Sequence, residues 1–396
     1  MRHIGFPSHR LDPHAIRTFS RRIFFSGVLC LIFPFASTAA NPPPSTNWLE
    51  GWRTQNTCWR GVHLWLDNET EARTLVGTLP ALAGAGANVI VVEVNYSFEF
   101  QSHPELRNRR FVTRATAREL AEAAHRCGIR LIPEFNCLGH QSFGRRISPL
   151  LQLHPEFNET PGQSLTNKNV YCLEWRPDAP GLNELIFSLI DEMANAFEAD
   201  AFHVGMDEVY LLGSGTNAPG RRRTPAELYA GQVRALHDHI TVQRHMEMLM
   251  WADRLIGPKF QGYSRFDNDR NDLSAAIDLI PKDIIQCDWH YEWKKSYPSV
   301  PYLINKGFRV WPSGFEPLAA TRAFSDSVLS LRSKRVIGYL ATTWNKTSIA
   351  DAPDWPPIKE ILPKWRNYPA LIHIHEHPLD RTADPIQSGG RDLLRD

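Results

Sequence analysis

Residues 201–209 of the sequence read AFHVGMDEV. An apolar run, typical of a buried strand, ends here in two adjacent acids, Asp207 and Glu208. Acidic residues are disfavoured inside strands, and two neighbouring carboxylates repel each other unless a partner offsets their charge. The stretch therefore predicts a β-strand with an acid pair at its carboxyl end. The pair is either solvated before a turn or part of a functional site.

Seven more short strands are predicted on either side of this one. The eight predicted strands cover residues 61–66, 88–94, 129–135, 201–206, 246–251, 283–289, 307–311 and 335–342. Helical spacing over 69–83, 114–127, 182–197 and 319–331 separates several of them, and Thr224 with Glu227 forms a capping-box pattern.

Alternating strands and helices indicate a parallel sheet, and eight such units predict a closed (β/α)8 TIM barrel in the α/β class. An open doubly wound sheet is the alternative. It is disfavoured because Trp65-Leu66-Asp67-Asn68 follows the first strand, where that fold needs a glycine-rich phosphate turn.

The N-terminal residues have the pattern of an export signal. Arg21-Arg22 precede an apolar stretch over 23–35 and small residues over 36–40. The apolar stretch is too short for a comfortable membrane span, although an uncleaved anchor is the alternative. We expect a signal peptide over 1–40 and a secreted or periplasmic protein without stable membrane insertion after signal removal.

The remaining chain is divided by composition. A Pro-rich linker is predicted over 41–57, one barrel domain over 58–375 and a polar C-terminal tail over 376–396. The formal net charge is +1, with 44 Lys and Arg against 43 Asp and Glu. This balance argues against a nucleic-acid partner.

Aromatic and polar residues gather at the predicted carboxyl ends of the strands, where TIM barrels carry their active sites. They are Trp65, Asp67, Asn95, Tyr96, Asn136, Gly139, His140, Asp207, Glu208, Trp251, Asp253, Asp288, Trp289, Trp311, Trp344 and Asn345. Indole rings pack on the flat faces of sugars, while carboxylates and amides bind hydroxyls. An acid pair supplies the proton chemistry of glycoside cleavage. The set therefore predicts a carbohydrate pocket, although any single Trp, and His63 or His203, is also compatible with a core position.

Two other hydrolase classes are disfavoured by missing motifs. The sequence contains neither His-Glu-x-x-His nor Gly-x-Ser-x-Gly, which are typical of metal-dependent hydrolases and serine esterases. No metal and no cofactor are therefore predicted.

Three segments resemble glycoside hydrolase family 20, the β-N-acetylhexosaminidases. Residues 203–209, HVGMDEV, resemble the strand-four signature of that family; residues 133–140, PEFNCLGH, are similar to its strand-three segment; residues 59–61, WRG, resemble the opening of its first strand. The resemblance covers roughly residues 58–350 in the order of the family. It implies a glycan substrate and a catalytic barrel that lacks the usual N-terminal domain.

The resemblance also implies roles for individual residues. In substrate-assisted hydrolysis the 2-acetamido oxygen of the sugar attacks the anomeric carbon. Glu208 would be the acid and then the base, and Asp207 would hold the acetamido N–H. Arg60 would bind hydroxyls and His140 would join the polar network. The walls of the pocket would be Trp251, Trp289 and Trp344.

Strand two reads Glu93-Val94-Asn95-Tyr96 where the family usually has His-x-His-Leu-Thr-Asp-Asp. The segment after strand seven also departs from the family, which usually has a Tyr there. Residues 310–315 read VWPSGF, and Tyr291, Tyr263 and Tyr339 are the candidates to replace it. Three functions stay open: a β-N-acetylhexosaminidase, a glycan-binding barrel without catalysis, and a glycosidase for a sugar without an acetamido group.

Overall fold

The computed structural model describes residues 46–144, 146–163, 165–167, 170–214, 223–344 and 346–368. The predicted signal peptide over 1–40 and the predicted tail over 376–396 lie outside these ranges. Within them, no helix has both the length and the apolar character needed to cross a membrane.

Eight parallel strands form one sheet in the order β6-β5-β4-β3-β2-β1-β8-β7. They are β1 (Trp59–Trp65), β2 (Val89–Glu93), β3 (Arg130–Cys137), β4 (Ala201–Gly205), β5 (Glu247–Trp251), β6 (Ile285–Cys287), β7 (Ser313–Gly314) and β8 (Gly338–Thr342). Isolated bridges from Gln286 to Val310 and from Trp289 to Ser313 join the two edges of the sheet. The predicted TIM barrel is therefore confirmed.

Helices surround the barrel. They are α1 (Thr46–Gln55), α2 (Glu69–Gly84), α3 (Arg114–Arg126), α4 (Pro149–Leu153), α5 (Leu182–Ala196), α6 (Pro225–His237), α7 (Ser299–Asn305), α8 (Leu318–Leu331) and α9 (Pro356–Ile361). The predicted capping box is present at the start of α6, where it is formed by the Thr224 side chain and Glu227. The apolar faces of these helices pack on the outward-facing side chains of the strands.

The amino-terminal end of the barrel is closed by helix α1. The sequence predicts a linker over 41–57, whereas residues 46–55 of it form this helix. The Trp52 indole is buried, and its Nε1 donates to the carbonyl of Gly128 at 3.0 Å. The Arg130 guanidinium lies over the Trp52 and Trp59 rings, 5.7 and 4.7 Å from their centroids. Apolar burial thus turns the second half of the predicted linker into part of the fold.

The predicted position of strand seven is wrong, and this displaces Trp311. The strand is Ser313–Gly314 rather than 307–311, so Trp311 lies deeper in the barrel and is fully buried. Its indole fills the space that Gly61 leaves, because a Cβ at Gly61 would overlap the ring. The prediction that Trp311 lines a substrate pocket is therefore wrong.

A long segment between β3 and α5 covers the carboxyl end of the barrel on one side. It contains a short antiparallel hairpin, Ser142–Phe143 with Arg146–Ile147, followed by α4. Further along, Tyr171 and Cys172 run past the end of β4, where Cys172 Sγ lies 3.5 Å from the carbonyl oxygen of Glu208.

Candidate active site

The acid pair lies directly after β4 in an unusual backbone conformation. Gly205, Met206 and Glu208 have φ values of 64°, 74° and 50°. Side chains other than glycine disfavour this left-handed region, and such strain concentrates at functional sites. Asp207 and Glu208 are both buried. Both contact His140, which is partly exposed at the mouth of the barrel.

His140 joins the two carboxylates. Its Nε2 lies 3.2 Å from Asp207 Oδ2 and 3.2 Å from Glu208 Oε2. Burial alone would lower the pKa of His140, but the Asp207 charge and hydrogen bonds to both acids outweigh it and raise that pKa well above its usual value. A protonated imidazole between two acids offsets the repulsion that the sequence predicts for them.

Two further residues hold Glu208. Asp253 Oδ2, after β5, accepts a hydrogen bond from the Glu208 backbone N–H at 2.9 Å and another from Arg254 Nε at 2.6 Å. The Tyr210 hydroxyl donates to Glu208 Oε1 at 3.4 Å. Burial and the charges of the acid pair raise the pKa of Asp253 to about 7, while Arg254 opposes this shift. The sequence places Asp253 at a strand end, but its role is visible only from the backbone contact.

The rim of the site contains an aromatic residue that the sequence did not single out. The Tyr171 ring lies 6.1 Å from His140, 5.8 Å from Tyr210 and 5.6 Å from Phe266. Burial and the charge of Glu208 raise the pKa of Tyr171. Tyr171 belongs to the long β3–α5 segment, where no strand-end pattern could have indicated it.

Beneath the acid pair, a buried ionic cluster fills the barrel. Glu134 lies 3.0 Å from His63 Nε2 and 3.0 Å from His203 Nδ1, and Glu93 lies 3.3 Å from His63 Nε2. Burial opposes charge on both partners, but the hydrogen bonds and charges prevail, so the pKa of His63 rises to about 9 and that of Glu134 falls to about 2. Trp251 Nε1 donates to Glu134 Oε1 at 2.8 Å.

Trp251 therefore belongs to the floor of the site. Its side chain is 1% exposed, so the prediction that it forms a pocket wall is wrong in position. Its ring lies 5.8 Å from that of Trp344, which is partly exposed. The indole hydrogen bond to Glu134 holds Trp251 one layer below the mouth.

Trp289, Trp344 and Tyr291 contact one another at the carboxyl ends of β6 and β8. Trp289 stacks on Tyr291 with centroids 4.9 Å apart, and Trp344 Nε1 donates to the Tyr291 hydroxyl oxygen at 2.8 Å. Of the three candidate tyrosines, Tyr263 bonds to Ser299 and Tyr339 packs in the core. Only Tyr291 contacts the predicted pocket residues. Asn345, predicted beside Trp344, lies outside the described residues.

Arg60 lies at the opposite end of the barrel. Its Nε donates to the carbonyl of Gly86 at 2.6 Å and its Nη1 to that of Cys58 at 3.3 Å. Side chains alternate along a strand, and since Gly61 faces the interior, Arg60 faces outward. The prediction that Arg60 binds sugar hydroxyls is therefore wrong.

Asn136 supports the site from below. Its Nδ2 donates to Glu93 Oε1 at 2.8 Å, and its backbone N–H donates to Asn95 Oδ1 at 2.7 Å. These contacts place Asn136 in the polar network between β2 and β4, where the residue is partly exposed.

Among the residues that the structure describes, two groups of side chains have donor atoms close enough to share a cation: His63 with Glu93 and Glu134, and His140 with Asp207 and Glu208. In both groups the imidazole pairs with both acids. A proton on each histidine accounts for these contacts.

Known proteins resemble the chain in fold. Among solved structures, a Flavobacterium johnsoniae chitobiase superposes with a TM-score of 0.56 at 18% identity, covering 78% of this chain and 48% of that one. A Vibrio harveyi family 20 exo-β-N-acetylglucosaminidase, solved with N-acetylglucosamine, superposes with a TM-score of 0.55 at 16% identity and covers 78% of this chain and 54% of that one. A Bacteroides fragilis β-N-acetylhexosaminidase superposes with a TM-score of 0.53 at 12% identity and covers 78% of this chain and 65% of that one. The chain thus spans about half to two thirds of each structure, and these likenesses support the barrel fold.

The sequence comparison identifies the family. No curated protein sequence matches the chain. The family model for the catalytic domain of glycosyl hydrolase family 20 matches residues 61–258, half of the chain, and this range includes the acid pair, His140 and Asp253. The chain therefore belongs to glycosyl hydrolase family 20.

Proposed function

We propose that the protein is an exported glycoside hydrolase that removes terminal β-linked N-acetylhexosamine by substrate-assisted, retaining hydrolysis. The observation that carries the proposal is the buried Asp207–Glu208 pair, joined by His140 at 3.2 Å and facing the partly exposed Trp289 and Trp344. Family membership supports the same chemistry, because family 20 uses the acetamido group of the substrate in place of a second carboxylate nucleophile.

The first step breaks the glycosidic bond. Glu208 donates its proton to the leaving oxygen while the acetamido carbonyl oxygen forms a bond to the anomeric carbon, which gives an oxazolinium ion. Asp207 accepts a hydrogen bond from the acetamido N–H and stabilises the positive charge that develops there. In the second step Glu208 takes a proton from water while the water oxygen forms a bond to the anomeric carbon. The bond from that carbon to the acetamido oxygen breaks, which opens the oxazolinium ring with overall retention.

Tyr291 is the residue we propose to orient the acetamido oxygen. Its hydroxyl oxygen accepts from Trp344 Nε1 at 2.8 Å, which leaves its own O–H available as a donor. The residue stands after β6, whereas the family usually uses a Tyr after strand seven.

Export is supported by the N-terminal sequence. The Arg21-Arg22 pair, the apolar stretch over 23–35 and the small residues over 36–40 form the three parts of a secretory signal.

The test is hydrolysis of paired aryl β-glycosides with and without a 2-acetamido group. We expect turnover only of the acetamido substrate, inhibition by a thiazoline analogue of the oxazoline, and loss of most activity in Asp207→Asn. Glu122→Gln, an exposed change on α3, is the matched control. Binding of N-acetylglucosamine without turnover would indicate a glycan-binding barrel, and equal turnover of both substrates would indicate a glycosidase indifferent to the acetamido group.

A further inference from the structure

A cavity of about 430 Å³ opens beside the acid pair, between the β3–α5 segment and the loop after β5. Its described lining includes His140, Phe143, Tyr171, Cys172 and Arg265. This volume lies in the range of small-molecule sites, and none of the steps proposed above for the sugar uses it.

The cavity adjoins the acid pair from the side of the β3–α5 segment. His140 lines it and also contacts both carboxylates at 3.2 Å. Tyr171 separates it from Tyr210, whose hydroxyl contacts Glu208. The acetamido sugar would occupy the mouth near β6 and β8, across the barrel from β4. The oxygen that Glu208 protonates therefore carries its substituent toward the cavity.

The cavity presents two aromatic faces. Phe143 is 71% exposed and Tyr171 is 47% exposed. The Trp65 ring contacts the Phe143 ring edge-on, with centroids 5.9 Å apart. This contact supports the Phe143 ring from the barrel side. Exposed aromatic rings that flank a concave surface are typical platforms for a sugar ring.

A positive charge borders the same cavity. The Arg265 guanidinium is exposed, packs 4.8 Å from the centroid of the Phe266 ring and forms no ion pair with any residue that the structure describes. A guanidinium fork binds carboxylate or sulfate oxygens through paired N–H donors.

We propose that this cavity is a subsite for the leaving-group sugar and that Arg265 makes it selective for an anionic sugar unit. Phe143 and Tyr171 stack on the ring, and Arg265 binds a carboxylate or sulfate on it. The inference rests on the proposed glycosidase function, and it adds the class of leaving group to that function.

The test compares disaccharides in which N-acetylglucosamine is β-linked to glucose, to glucuronic acid or to glucose 6-sulfate. For the intact protein we expect kcat/KM to be about tenfold higher with an acidic leaving group than with glucose, as one charge-assisted contact provides. This preference should decrease at high salt. Comparison of the glucuronic acid and glucose 6-sulfate disaccharides shows whether the subsite prefers a carboxylate or a sulfate.

Two variants make the test specific. Arg265→Gln should remove the preference while changing kcat/KM for the neutral disaccharide less than twofold. Phe143→Ala should raise KM for all three disaccharides, because it removes one of the two aromatic faces of the subsite. Arg118→Gln, which removes an exposed arginine of α3, is the matched charge control and should behave as the parent protein.

The proposal fails if the parent protein shows no preference, or if Arg265→Gln retains it. Failure of the proposed glycosidase function looks different, because no N-acetylglucosaminide of any kind would then be hydrolysed. Calorimetric binding of the same three disaccharides to the parent protein and to Arg265→Gln tests the subsite without turnover. Equal affinities across both proteins and all three ligands would overturn it.

Discussion

Asp253 Oδ2 accepts a hydrogen bond from the backbone N–H of Glu208 at 2.9 Å, so a carboxylate after β5 fixes the acid that β4 carries. The contact holds Glu208 at its left-handed φ of 50°. We expect Asp253→Asn to lower kcat about tenfold to a hundredfold with little change in KM, because small displacements of a catalytic group are costly.

A pH profile separates this positioning role from a loss of structure. Above about pH 7, where Asp253 is ionised, Asp253→Asn removes a negative charge next to the acid pair, and this disfavours the protonated acid. The alkaline limb of kcat should therefore move to lower pH. An unchanged profile together with a lowered melting temperature would indicate that Asp253 acts only on stability.

Gly205 sets the direction in which the chain leaves β4. Its φ is 64°, and a Cβ there would overlap Asn136 Oδ1. We expect Gly205→Ala to destabilise the protein by about 1–3 kcal/mol and to abolish most activity by displacing Asp207. Gly77→Ala is the control: it lies in α2 with open space around it, and it should be neutral or stabilising by up to about 1 kcal/mol. Chemical denaturation of both variants measures the difference.

Glu174 predicts a pH dependence of stability. It is fully buried, accepts hydrogen bonds from the backbone N–H groups of Tyr210 and Leu211, and burial raises its pKa from 4.5 to about 8. In the unfolded chain Glu174 loses its proton near pH 4.5, whereas in the folded protein it keeps the proton until about pH 8. The free energy of unfolding should therefore fall as pH rises through this window.

Glu174→Gln should remove this dependence, because glutamine accepts the same two hydrogen bonds without titrating. We expect the variant to match the parent protein near pH 4.5 and to be more stable by about 2–4 kcal/mol at pH 8. Urea unfolding at both pH values measures it. A variant that is less stable than the parent protein at pH 8 would show that Glu174 is ionised in the folded state.

Tyr291 is predicted to act on the acetamido group alone. Tyr291→Phe should lower kcat/KM for an acetamido substrate by about a hundredfold, the effect of losing one hydrogen-bond donor to a developing charge. Tyr302→Phe, on α7 away from the mouth, is the control. If Tyr291→Phe is as active as that control, another group orients the acetamido oxygen.

The parts of the site that follow from strand periodicity were predictable from the sequence. β3 and β4 each contain short apolar stretches, Leu131-Ile132 in β3 and Ala201-Phe202 in β4, so the ends that carry His140, Asp207 and Glu208 could be located within a residue or two. Strand seven has only two residues, Ser313 and Gly314, and no apolar run marks it. The sequence therefore predicts Trp311 at the mouth of the barrel, whereas it lies in the interior. The position of Trp311 depends on the space above Gly61, which is a packing relationship across the barrel.

Other features depend on contacts that no local pattern records. Arg60 faces outward because its neighbour Gly61 faces the barrel interior against Trp311. Asp253 acts through a backbone amide of a neighbouring strand. Tyr171 reaches the site because the β3–α5 segment folds back over the end of β4. In each case tertiary structure, rather than residue type, decides the role.

The most direct test of the proposed chemistry is kcat/KM of Glu208→Gln on two N-acetylglucosaminides, one with a nitrophenyl leaving group and one with a sugar leaving group. A poor leaving group needs the proton that Glu208 supplies, whereas nitrophenolate departs largely without it. We predict that Glu208→Gln loses far more activity on the sugar-linked substrate, by at least about a hundredfold relative to the parent protein. Full activity of Glu208→Gln on the sugar-linked substrate would contradict the assignment of Glu208 as the general acid.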